Sequence, residues 1–178
     1  MKKEPVTKID IGHAIRQKIN EYGIKVAWLA RQIGCDRGNL SRHLDKEHID
    51  PELLLKISIV LKTDFFAFYS DCIRRKVTVK QEYIPLNFDH KVHEIDIGHA
   101  VRQKMSEFSS KNAWLARQID CDPSNLQKRL KKKHIYPEYL LNISIILKTD
   151  FFVCYSHCVT QSIKNESDRK LLIKNSHD

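Results

Sequence analysis

A chain of 178 residues with 42% hydrophobic and 30% charged side chains has enough apolar surface to bury a core, which excludes wholesale disorder. No apolar run approaches the ~20 residues that cross a bilayer. The opening Met-Lys-Lys-Glu-Pro-Val-Thr-Lys lacks the apolar stretch of a signal peptide, so a cytoplasmic location is expected. A net charge of +9 points to polyanionic partners, most often nucleic acid.

Glycine and proline are scarce, and apolar residues recur at helical spacing. Ile11, Ile15, Ile19 and Tyr22 form one stripe of a first helix, which Gly23 ends. A second, short helix runs from about Val26 to Ile33, with Ala27, Leu29, Ala30 and Ile33 apolar, and Gly34 stops it. Asp36 is a good cap for a third helix, which carries Leu40 and Leu44 one turn apart. Asp50-Pro51-Glu52 reads as cap, first-turn proline and first-turn acid of a fourth helix through Leu61. Thr63 and Asp64 cap a fifth, expected from Phe65 to about Arg75.

The whole pattern then returns. Residues 9–72 recur without a gap as 95–158, at an offset of 86 and with about two-thirds of the paired positions identical. Repeat units of solenoids run at roughly 20–50 residues, so this is a small domain present twice. The expected organisation is a first domain over 1–76, a linker over 77–94, a second domain over 95–160 and a tail over 161–178. Within the linker, 77–84 leans toward an extended strand that Pro85 ends, and 165–175 reads as a short helix or a frayed tail. Counting Lys and Arg against Asp and Glu, residues 9–72 balance at zero and residues 95–158 at +4.

The junction of the second and third helices carries the functional signal. Leu29-Ala30-x-x-Ile33-Gly34-Cys35 followed by Asp36-Arg37-Gly38-Asn39-Leu40 has the spacing of a helix-turn-helix. Ala30 is small where the helices cross, and Gly34 fits a left-handed turn. Ile33, Cys35 and Leu40 lock the third helix so that its other face projects outward. The segment resembles the lambda-repressor-like, or Cro-like, helix-turn-helix family over both copies. That resemblance implies an all-α chain of two tandem five-helix lambda-repressor-like DNA-binding domains, with the third helix of each in the major groove. Two positions depart from the family pattern. His43 and Arg129 stand where an apolar residue is common, leaving Leu44 and Leu130 to supply the packing, and the turn glycine becomes Asp120 in the second copy.

The outward face of the first recognition helix is Arg37, Gly38, Ser41, Arg42 and Asp45, and that of the second is Pro123, Ser124, Gln127, Lys128 and Lys131. Asn39 and Asn125 lie at the exposed starts. Arg and Gln suit paired contacts to guanine and adenine edges, whereas Ser, Asn and Lys more often meet phosphate. Lys131, Lys132 and Lys133 form the densest cation run, matched in the first copy by nearly neutral Asp45-Lys46-Glu47; Lys46 is the cation kept there. Lys25 and Lys111 sit beside the backbone at the start of the second helix of each copy.

Other residues read more plainly. Trp28 and Trp114 are expected in the core, with an indole N–H to phosphate as the alternative, and His13 and His99 on the surface. Five cysteines, an odd count, argue against a disulfide framework, and Cys35 and Cys121 read as small buried hydrophobes. Cys154-x-x-His157-Cys158 has no counterpart ligand set at Phe68-x-x-Asp71-Cys72, which argues against a zinc site. No nucleophile motif or phosphate loop occurs, so neither enzyme activity nor a cofactor nor a metal is expected. Phe65, Phe68, Tyr69 and Cys72 are expected to share one face of the fifth helix, with Phe66 and Ile73 elsewhere. Phe65, Phe66, Phe68, Phe151 and Phe152 are then the candidates for a homodimer or an intramolecular pseudo-dimer. The expected function is a prokaryotic or phage transcriptional regulator that binds duplex DNA. The rival is a protein-interaction adaptor or antitoxin-like module on the same scaffold, which the acids Asp36 and Asp45 and the neutral first copy favour.

Overall fold

The computed structural model describes residues 9–46, 48–77, 95–107 and 112–175, with side chains through residue 166. The N-terminal arm, Lys111 and all but the first residue of the expected strand at 77–84 lie outside the described residues. Among the described residues there are ten helices and no strand. They are α1 (Ile11–Glu21), α2 (Val26–Gln32), α3 (Arg37–Leu44), α4 (Pro51–Val60), α5 (Ala67–Lys76), α6 (Ile97–Glu107), α7 (Asn112–Gln118), α8 (Pro123–Leu130), α9 (Pro137–Ile146) and α10 (Val153–Asn175). The chain is all-α, and none of these helices is long and apolar enough to cross a membrane.

Local chemistry sets most boundaries. Asp10 accepts the His13 amide at 2.9 Å, and Asp36 accepts the Asn39 amide at 3.0 Å, satisfying N–H groups that a helix start leaves without partners. Asp50 accepts from Glu52 and Leu53, with Pro51 in the first turn. Its counterpart Tyr136 supplies no side-chain cap to α9. The turn between α2 and α3 holds Gly34 at φ +68°, and the matching turn holds Asp120 at φ +55°, so both copies use the left-handed conformation the spacing called for.

The core gathers Ile11, Ile15 and Ile19 of α1 with Leu29 and Ala30 of α2, Leu40 and Leu44 of α3, and Leu54 and Ile57 of α4. Tyr22 does not join the stripe. It is 49% exposed, past the end of α1, with the Lys18 ammonium 5.0 Å from its ring centre. Gly12 explains the start of the Ile-Asp-Ile-Gly-His-Ala repeat, because α1 crosses the end of α3 there. A Cβ on Gly12 would lie 2.0 Å from the Leu44 carbonyl oxygen, and one on Gly98 2.3 Å from that of Leu130.

The two copies meet through α4, α5, α9 and α10, with α5 against α9 and α10 against α4. The contacts are reciprocal under the 86-residue offset. Phe66 stacks on Tyr155 at 4.4 Å, its image Phe152 stacks on Tyr69 at 4.7 Å, and Phe66 and Phe152 face each other at 6.5 Å. This corrects part of the expected division of aromatic residues. Phe66 points away from Phe65 and Phe68 to the other copy, as expected, but Tyr69 joins it there, and Phe68 is 47% exposed and stacks on Phe65. The reason is that α5 starts at Ala67, two residues later than expected. Phe65 and Phe66 lie in the preceding turn, where Asp64 accepts the Phe66 amide. The stretch 165–175 is the end of the 23-residue α10, not a separate helix or a tail.

Candidate nucleic-acid interface

Helices α3 and α8 each bury two leucines and expose nearly everything else. Leu40, Leu44, Leu126 and Leu130 are buried, whereas Arg37, Gly38, Asn39, Arg42 and Lys46 are exposed and Ser41 is half-buried. In the second copy Ser124, Asn125, Gln127, Lys128, Lys131, Lys132 and Lys133 are all exposed, and so is Lys25 at the start of α2. The outward residues read from the sequence therefore form one solvent-facing strip on each third helix.

Packing at the ends of α3 and α8 does not depend on His43 and Arg129. Leu44 and Leu130 fill the core at the end of each helix. Arg129 turns inward: its guanidinium carbon lies 3.7 Å over the Tyr139 ring, and Nη2 donates to the Tyr139 hydroxyl at 3.1 Å. Arg129 is thus occupied within its own copy.

The strips differ electrostatically. In the first copy Arg16 pairs with Asp45 and donates to the Ser41 carbonyl, and Arg42 donates to Asn39 one turn back. In the second copy Lys131 replaces Asp45, and Arg102, the counterpart of Arg16, donates to the Leu130 carbonyl instead. Among the described residues, no carboxylate forms an ion pair with Lys128, Lys131, Lys132 or Lys133.

Both strips border the midline where the copies meet. A cleft of about 740 Å³ is lined by Asp50 and Glu52 of the first copy and Asn125, Lys128 and Lys132 of the second. A smaller one, about 330 Å³, joins His43 and Lys46 to Arg129 and Tyr136. Two reciprocal pairs cross the midline. His48 Nδ1 lies 3.2 Å from Glu138 Oε2, and His134 Nε2 lies 3.3 Å from Glu52 Oε1. His134 also meets the Tyr155 hydroxyl through Nδ1 at 3.1 Å. Burial lowers the proton affinity of His134, with Glu52 and Asp50 pulling weakly the other way. Burial raises that of Glu138, against smaller opposing effects from its own backbone amide and from His48. Sequence reasoning passed over these pairs. Their signal was the retention of His48/His134 and Glu52/Glu138 in both copies at polar positions with no role in either core.

The tryptophans also need correction. Trp28 is 38% exposed and Trp114 39%, because α2 and α7 are only seven residues long and Leu29 and Ala30, or Leu115 and Ala116, fill the inward face. Cys35 and Cys121 are half-buried rather than core. Cys154 and Cys158 are buried, the latter with its thiol pushed up to about 11, which disfavours a reactive thiolate. No cluster of metal-ligating residues occurs among the described residues. No protein-family model, curated protein or solved structure matches the chain.

Proposed function

We propose that the chain is a sequence-specific, double-stranded DNA-binding transcriptional regulator of a prokaryotic or phage cytoplasm. In this reading it holds two tandem five-helix, lambda-repressor-like domains as an intramolecular pseudo-dimer. The observation that carries the reading is the repeated helix–turn–helix: a left-handed turn at Gly34 and Asp120, an aspartate cap at Asp36 and Asp122, and a polar, outward third helix. The reciprocal junction supports the pseudo-dimer, since it makes the contacts of a twofold pair within one chain. Phe66 and Phe152 are its centre, Phe65 and Phe151 support it from each copy's core, and Phe68 stands outside it.

The test is binding of the full chain to duplex DNA across a salt series. Neutralising several phosphates releases counterions, so affinity should fall about 0.9 log units per log unit of salt for each contact. Steep, saturable binding supports the proposal, and salt-insensitive binding or none rejects it. The adaptor reading keeps one observation in its favour, the Arg16–Asp45 pair that neutralises part of the first copy's strip.

A further inference from the structure

We infer that the chain binds DNA in one fixed orientation, on a site whose two halves differ both in sequence and in how they are held. The second copy grips phosphates and the first copy reads bases. The inference rests on the DNA-binding reading above and adds what that reading leaves open, the polarity of the complex.

The duplicated surface carries the argument. Around the third helices, positions that pack or cap are the same in both copies: Asp36 and Asp122, Leu40 and Leu126, Leu44 and Leu130. Positions that face out have diverged almost throughout. Arg37 faces Pro123 across the offset, Gly38 faces Ser124, Ser41 faces Gln127, Arg42 faces Lys128 and Asp45 faces Lys131; Asn39 and Asn125 alone persist in this strip. A homodimer presents the same residues twice and is blind to the direction of its site. Two covalently joined, unlike faces are not.

The divergence also has a sign. At the end of α3 the Arg16–Asp45 pair brings no net charge to a neighbouring phosphate, while Asp50 and Glu52 of the first copy lie across the midline in the cleft that Lys128 and Lys132 line. At the end of α8 the corresponding residues are Lys131 and Tyr136, followed by Lys132 and Lys133, and Arg102 is satisfied by a backbone carbonyl. Phosphates flanking α8 therefore meet up to four ammonium groups, counting Lys128, none of them in an ion pair among the described residues. Lysines act there as sequence-blind point charges. In the first copy Arg42 offers a planar guanidinium from the middle of an exposed strip, the geometry that pairs with a guanine edge. Asn39, which it already contacts, sits beside it to hold that orientation.

The experiment selects duplexes from a random pool with the intact chain, then maps the protected nucleotides on both strands. The expected product is a site with two unlike halves. Lys131, Lys132 and Lys133 all changed to Ala should abolish protection in one half and lower the salt slope by up to roughly 2.7, about 0.9 per lost contact. Arg42→Ala should keep most of the slope and relax selection at one base pair in the other half. Asp45→Lys, a gain of two charge units that also releases Arg16 from its carboxylate, should steepen the slope by about 0.9 to 1.8. Recovery of an inverted repeat, or a triple lysine variant that weakens both halves alike, would overturn the inference while leaving DNA binding intact. Retention of no duplex even at low salt would instead remove the reading on which it stands.

Discussion

The Glu138 carboxylate sits half-buried at the junction of the copies, paired with His48 Nδ1 at 3.2 Å and facing the Tyr69 hydroxyl. Its image Glu52 is well exposed beside His134. Burial holds the proton on Glu138 above the ordinary glutamate range. The folded pKa then exceeds the unfolded one, so the stability tied to this group is full below about pH 4.3 and is lost as pH climbs through the raised value. Glu138→Gln removes the cost of a half-buried charge together with its pairing to His48, so it should stabilise the protein at neutral pH by at most about 1 kcal/mol and should change little at acid pH. Glu52→Gln should stay within about 0.5 kcal/mol at both. Urea midpoints at the two pH values check this, and a destabilised Glu138→Gln at neutral pH contradicts it. His134 works in the opposite sense. Its lowered proton affinity costs stability as pH falls below the ordinary histidine range, so in weakly acidic solution both junction groups, Glu138 losing its proton and His134 gaining one, count against the fold.

At the scale of elements, the crossing of α1 over α3 depends on the absence of a side chain. Gly12 and Gly98 lie in the first turns of α1 and α6, where alanine ordinarily favours the helix by up to about 1 kcal/mol. Here the added methyl would press on backbone oxygens that cannot swing away. Gly12→Ala and Gly98→Ala are thus expected to destabilise by about 1–3 kcal/mol, the range for an overpacked site, and a gain in the urea midpoint would show that the helices part without cost. The caps at Asp36 and Asp50-Pro51 and the turn at Gly34 were legible in the sequence because each depends on neighbours a few residues away. What was not legible depends on distant partners. The exposure of Phe68 and the stacking of Tyr69 on Phe152 follow from a second copy 86 residues on, and the inward turn of Arg129 from Tyr139 on the next helix. The candidate strip itself was legible, since the spacing of Leu40 and Leu44 fixes which side of α3 remains outside.

For the whole molecule, the junction decides whether there are two small bundles or one body. Units of this size bury only about 60% of their unfolded surface, so a shared interface contributes much of their stability. Phe66, Tyr69, Phe152 and Tyr155 are each at most 1% exposed, and each ring stacks on one from the other copy. Phe66→Ala removes one ring from that stack and should cost about 3–5 kcal/mol. The loss should be felt equally on both sides. The chain has two tryptophans, Trp28 in the first copy and Trp114 in the second, so Trp28→Phe and Trp114→Phe backgrounds report each copy alone. With Phe66→Ala added, urea unfolding followed at Trp114 should shift to the same midpoint as unfolding followed at Trp28, because the second copy loses the partner of Tyr155. A Trp114 midpoint that stays where it was would mean the copies fold independently. It would also remove the rigid link on which the proposed pseudo-dimer depends.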